Sequence, residues 1–186
     1  MTNLFLTISP PKRKAIFIIS VIAALSITVI MNIIGQPLMT PEAPAGIVSF
    51  ELAGTNAQAQ LILDSWDARA KLFAAFSLGF DYLYMLAYAT AISLGCLLAA
   101  LVIRGQKWPF GSLGAPLAFG MWIASGFDAV ENLALSFILL GGAMADIWPA
   151  IARVCALIKL SLIFVGLVYV FYGLAVRLVR GRALQA

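Results

Sequence analysis

The chain contains no histidine. That removes the commonest protein metal ligand and the commonest acid–base group at neutral pH. Cysteine is nearly as scarce, with only Cys96 and Cys155 present. Both fall inside long apolar stretches, in what should be opposite halves of a membrane. They read as small buried thiols, too far apart for a disulfide. A haem or iron–sulfur centre is not expected on the same grounds. Charge is the third shortage, at 11% of residues against about 25% in a typical soluble domain. There is no Gly-rich phosphate loop, nucleophile elbow, metal-ligand spacing or basic–aromatic nucleic-acid surface. Gly111 and Gly114 read as packing or turn residues. No internal repeat is evident, which argues against a single-chain inverted-repeat transporter. No cofactor, metal or nucleic acid is therefore expected, and the reading leans away from an enzyme.

What is abundant is apolar surface. The 186 residues are 63% hydrophobic, with a mean hydropathy of +1.02. A soluble domain of this size has too little interior to hide so much of it. The predicted class is an all-α integral membrane protein. It forms one domain over 1–186, a bundle of four transmembrane helices joined by one large loop.

The first span is expected at 15–34, after a short cytoplasmic lead and the basic run Lys12, Arg13 and Lys14. At about 20 residues it exceeds a signal-peptide core of ~7–15, and it lacks a small-x-small cleavage site. It therefore reads as a retained span. Thr28 and Asn32 share a face that should pack on other helices, and Gly35 and Pro37 stop the helix. The loop at 36–70 begins extended through Pro37, Pro41 and Pro44. A short helix fits 46–53, and a second, amphipathic one fits 57–71 behind a cap at Thr55 or Asn56. In the second, Gln60, Asp64, Asp67 and Lys71 fall on one side and Ile62, Trp66 and Phe73 on another. It should lie along the membrane surface or across the bundle mouth; the alternative is an early extension of the second span into solvent.

The second span should lie within 72–103. That is ~48 Å of helix against a ~30 Å hydrocarbon core, so one end must project or tilt. The third span is expected at 113–140 and the fourth at 151–176. Three basic residues precede the first span, Arg104 and Lys107 join the second to the third, and Arg177, Arg180 and Arg182 follow the fourth. These are eight of the twelve in the chain, so both termini should be cytoplasmic and the 36–70 loop extracytoplasmic. The setting would be a cell membrane, the inner membrane if the cell is a Gram-negative bacterium.

The unusual chemistry sits in the third span. Asp128, Glu131 and Asn132 share one helical face, with Ser125 a turn before and Ser136 a turn after. Carboxylates near mid-bilayer cost a few kcal/mol, which makes them functional candidates by default. The fourth span offers a partner. Ala152, Cys155, Lys159, Leu162, Gly166, Tyr169 and Gly173 form one mostly small stripe that should face the bundle. A Glu131–Lys159 ion pair is expected, with Asp128 deepest and lacking an evident partner. Arg153, nearer the rim, should meet Asp81 or Asp146. Asp81, Tyr84 and Tyr88 follow one stripe of the second span. The tyrosines read as an interfacial belt, except that Tyr88 lies deep enough to line a pocket.

Three functions compete. A buried charged site opening to the outer half of the bilayer could bind a lipid or hydrophobic molecule, with Asp81, Tyr84, Tyr88, Asp128, Glu131, Asn132 and Lys159 as binding or proton-handling candidates. A small carboxylate enzyme, using Asp128 or Glu131 as acid–base, is a variant of this reading. In outline the arrangement is similar to the four-span sterol-isomerase and sigma-2-receptor class, which also keeps acidic residues in a membrane pocket. The similarity is of architecture alone and carries over no residue. The second function is an accessory or assembly subunit of a larger membrane complex, with a membrane protein as its partner. The third is a proton- or ion-coupled transporter acting as a homo-oligomer.

Overall fold

A computed structural model describes residues 8–142 and 147–183, with side chains to residue 179. Among the described residues all regular structure is helical. The long helices are α1 (Pro10–Ile34), α4 (Ala68–Gly105), α5 (Gly114–Leu139) and α6 (Ile147–Ala183). Between α1 and α4 lie two short ones, α2 (Ile47–Glu51) and α3 (Asn56–Ser65). All four long helices are long and apolar enough to cross a bilayer, which suggests a multi-pass membrane protein. Two extend well beyond their expected spans. α4 has 38 residues and α6 has 37, some 55 Å each at ~1.5 Å per residue.

The loop before α4 differs from the expected single helix at 57–71. Thr55 caps α3, its hydroxyl accepting from the Gln58 amide at 3.3 Å. α3 then ends at Ser65. Trp66 turns extended, at φ −94° and ψ 124°, and the Asp67 carboxylate accepts the Ala70 amide at 2.7 Å. Asp67 is thus the N-cap of α4, where its oxygen satisfies a donor that helix geometry leaves open. Residues 68–71 belong to α4, so only the last part of the expected helix is an early extension of the second span. The 46–53 helix is present in shortened form as α2.

Chain contacts divide the molecule into two compact units. The first comprises 1–23, 87–124 and 160–186. Its core gathers Leu94, Leu97 and Ile103 of α4, Ala118 of α5, and Tyr169 and Val176 of α6, with Phe17 of α1 packed against them. Small residues allow this close approach. A Cβ on Gly114 would run into Ala100, and one on Gly173 into Ala99. The turn before α5 is tied down by α6, since the Tyr169 hydroxyl donates to the Phe110 carbonyl at 3.1 Å. Arg104 Nε donates to the Gly111 carbonyl at 2.7 Å, so this basic residue also staples its own turn. Phe110 sits in the left-handed region at φ 67°, a conformation that costs a non-glycine residue and is held here by these contacts.

The second unit comprises 24–86 and 125–159. Its core is built around Phe50 and Trp66, whose rings meet edge-on at 5.4 Å between centroids. Leu38, Ile62, Leu63, Leu78, Leu135, Ile138 and Ala152 surround them. Trp66 Nε1 donates to the Leu38 carbonyl at 2.9 Å, which satisfies the one polar atom of a buried indole. The apolar side of α3 (Ala59, Ile62, Leu63) is thus buried within this unit, while Gln60 and Asp64 bond each other on its exposed side at 2.7 Å. In α1, Thr28 Oγ1 lies 3.3 Å from the Tyr84 hydroxyl. Asn32 departs from expectation: it is exposed, and its amide returns to the Thr28 carbonyl of its own helix at 2.8 Å.

Candidate functional site

The charged residues singled out in α5 and α6 converge within the second unit. The stripe on α6 is buried at Ala152, Cys155 and Lys159, and α5 is buried at Asp128, Glu131, Asn132 and Leu135. Spacings of three and four residues put each set on one helical face. Lys159 Nζ donates to Asp128 Oδ1 at 2.7 Å and to Glu131 Oε1 at 2.9 Å. Its ammonium also lies 3.7 Å from Glu51 Oε2, beyond hydrogen-bond length but within ion-pair range. One ammonium with three N–H groups therefore faces three carboxylates. The side chains of Asp128 and Glu131 are 3% and 0% exposed, and those of Lys159 and Glu51 are 10% and 14%.

Two expectations need correction here. Asp128 has a partner, and its contact with Lys159 is the shorter of the two hydrogen bonds. A lysine side chain long enough to reach two residues one turn apart bridges both. Arg153 does not meet Asp81. Its guanidinium lies against Gly54, where a Cβ would come within 2.9 Å of a terminal nitrogen. Gly54 has φ +72°, so this turn needs glycine both for conformation and for room. The other proposed partner of Arg153, Asp146, lies outside the described residues, as do the side chains of Arg180 and Arg182.

Asp81 is matched by a different group. Asn132 Nδ2 donates to Asp81 Oδ2 at 2.6 Å, with both residues buried. Asn132 is one turn from Asp128, so one face of α5 serves both Lys159 and Asp81. Tyr84 is half-buried beside Thr28, and Tyr88 is buried and belongs to the first unit.

Glu51 was not singled out from sequence. It closes the five-residue helix α2 and is the only charge in 47–53. A lone acid among apolar neighbours in a loop is the signal that could have found it, and it is far weaker than an acid inside a span. Burial raises the Glu51 carboxyl above the ordinary carboxylate range. Lys159 opposes that shift, and the nearby Asp128 charge adds to it. One further atom stands out. Among the described residues, Glu131 Oε2 is buried and has no hydrogen-bond partner, an exception for a buried polar atom. No group of acids, cysteines or histidines among the described residues has a geometry that could hold a metal ion.

No protein-family model, curated protein or solved structure matches this chain.

Removing the ammonium should be far worse than removing the whole cluster. Lys159→Met is expected to destabilise the fold by about 3–5 kcal/mol, because buried carboxylates lose their counter-ion. Adding Glu131→Gln should recover part of this, and adding Asp128→Asn as well should recover most. Reversible unfolding in mixed micelles measures the series, and a Lys159→Met variant as stable as the parent would remove the pairing from any account of stability.

The raised Glu51 carboxyl carries a second expectation. Between its unfolded and folded ionisation points the native state holds more protons than the unfolded chain. The Glu51 contribution to stability is therefore full below the unfolded value and is lost as pH rises through the folded one. Glu51→Gln should flatten the fall of the melting temperature between those two points. Parallel pH profiles for the parent and Glu51→Gln would contradict it.

Proposed function

We propose that this is a small multi-pass protein of a cell membrane, with both termini cytoplasmic and the segment bearing α2 and α3 on the opposite side. Its site of Glu51, Asp81, Asp128, Glu131, Asn132 and Lys159 binds the polar head of a lipid or other hydrophobic molecule. The orientation is supported by the placement of basic residues along the chain: Lys12, Arg13 and Lys14 in the first turns of α1, Arg104 and Lys107 at the junction of α4 and α5, and Arg177, Arg180 and Arg182 in the last turns of α6. A reporter enzyme that is active only outside the cytoplasm should be silent when fused after Ala186 and active when inserted near Glu42. The reverse pattern would invert the topology.

The observation that carries the binding reading is the imbalance at the site. Among the described residues, three carboxylates contact one ammonium, and a fourth is bonded to a neutral amide. A low-dielectric interior does not tolerate that formal excess of negative charge unless protons or a cationic guest balance it. The chemistry therefore favours a ligand with an apolar body and a basic or hydroxyl-rich head. Glu51 is the one charge that the segment between α1 and α4 brings to the site. The unpartnered Glu131 Oε2 favours a second reading, in which the same acids carry a proton during transport.

Native mass spectrometry of protein extracted gently from its own membrane, with released molecules identified, tests the first reading. Asp128→Asn should fold, because Glu131 and Glu51 still face Lys159, yet it should lose the bound hydrophobic molecule. Co-purifying subunits at fixed stoichiometry, with no small molecule, would instead make the protein an accessory subunit.

A further inference from the structure

A second feature of the α2–α3 unit has no part in the charged site. Arg69, Leu72, Phe73 and Phe76 fall at three- and four-residue steps on α4, and with Ile34 at the end of α1 they line an open groove of about 370 Å³. That is within the ~300–1,000 Å³ range of small-molecule sites. The walls are almost wholly hydrocarbon. Leu72 and Phe76 are 72% and 53% exposed, and Phe76 stacks on Phe80 at 5.5 Å, continuing the aromatic wall along the helix. The single polar group is the guanidinium of Arg69, held 5.6 Å over the Phe73 ring. Among the described residues no carboxylate lies within ion-pair distance of it.

We infer that this groove binds an anionic phospholipid, with one acyl chain along Leu72, Phe73 and Phe76 and the head-group phosphate on Arg69. Three things select that occupant. The charge is a planar fork of donors, which suits a phosphate oxygen pair better than any neutral head. The position suits it: Arg69 stands one turn before the apolar run of α4 begins, and a basic residue flanking such a run is where a head group is expected to meet hydrocarbon. The length also fits. From Arg69 to Phe80 the helix rises ~16 Å, about one leaflet of a ~30 Å core. The cation–π contact keeps the guanidinium over the apolar floor rather than swinging free. This inference rests on the membrane assignment and not on the proposed ligand of the charged site.

The test titrates the full-length protein in detergent micelles with phosphatidylglycerol or phosphatidylcholine of identical chains, and counts bound lipid by native mass spectrometry. The parent should retain phosphatidylglycerol about five-fold better, the effect of one basic residue on an anionic lipid. Arg69→Gln should bring both lipids to the same level, and Arg69→Lys should keep part of the preference. Phe76→Ala should weaken both lipids alike. Lys71→Gln, off the groove stripe, should leave the ratio unchanged. An unaltered ratio in Arg69→Gln, equal retention of the two lipids by the parent, or a preference that follows Lys71 instead would each overturn the assignment.

Discussion

A single ammonium among carboxylates is the constraint on which the second unit depends. In water the contact between Lys159 and Asp128 would be worth little, since solvent would compete for both groups. Within the packed interior neither charge has water to return to, so each is stable only in the presence of the other. That dependence ties α5 to α6 at one register. Sliding either helix by a residue would rotate Lys159 off the face that carries Asp128 and Glu131 and leave all three buried without partners. Apolar packing alone fixes register far less sharply, because one leucine can replace another against a neighbouring helix at small cost. Asn132 extends the same logic to α4 through Asp81. Three helices are thereby held by one turn of α5.

The short helices close the arrangement from the loop side. Phe50 and Trp66 anchor α2 and α3 in the core of their unit, and Glu51 follows Phe50 directly in the chain. Anchoring α2 through Phe50 fixes the helix that ends in Glu51, whose carboxylate projects from a different face and comes within 3.7 Å of the Lys159 ammonium. The turn that follows is made by Gly54, with Arg153 packed over it. The weakest contact of the cluster, at 3.7 Å, is the one made by this loop residue. The groove beside Arg69 differs in kind. It is apolar and open, and its one charge is at the rim, so two chemically distinct surfaces arise in one unit.

Much of this was legible in the sequence by itself. Hydropathy and length determined four long helices, because an apolar run of some twenty residues has few other stable forms. The three- and four-residue spacing of Asp128, Glu131 and Asn132, and of the small stripe through Lys159, determined which faces turn inward, because helical periodicity is local and nearly invariant. Only the tertiary structure decided the rest. Whether Lys159 meets one acid or two depends on the rotation of α6 against α5, to which no local pattern refers. That Glu51 joins them depends on a loop whose path is set by where Trp66 finds a hydrogen-bond acceptor, the carbonyl of Leu38, 28 residues away in the chain. The break at Trp66 and Asp67 has the same origin. Propensity alone permits one continuous helix through 57–71, but burying the indole against Phe50 turns the chain extended there, and Asp67 then finds a capping role that a continuous helix would have denied it.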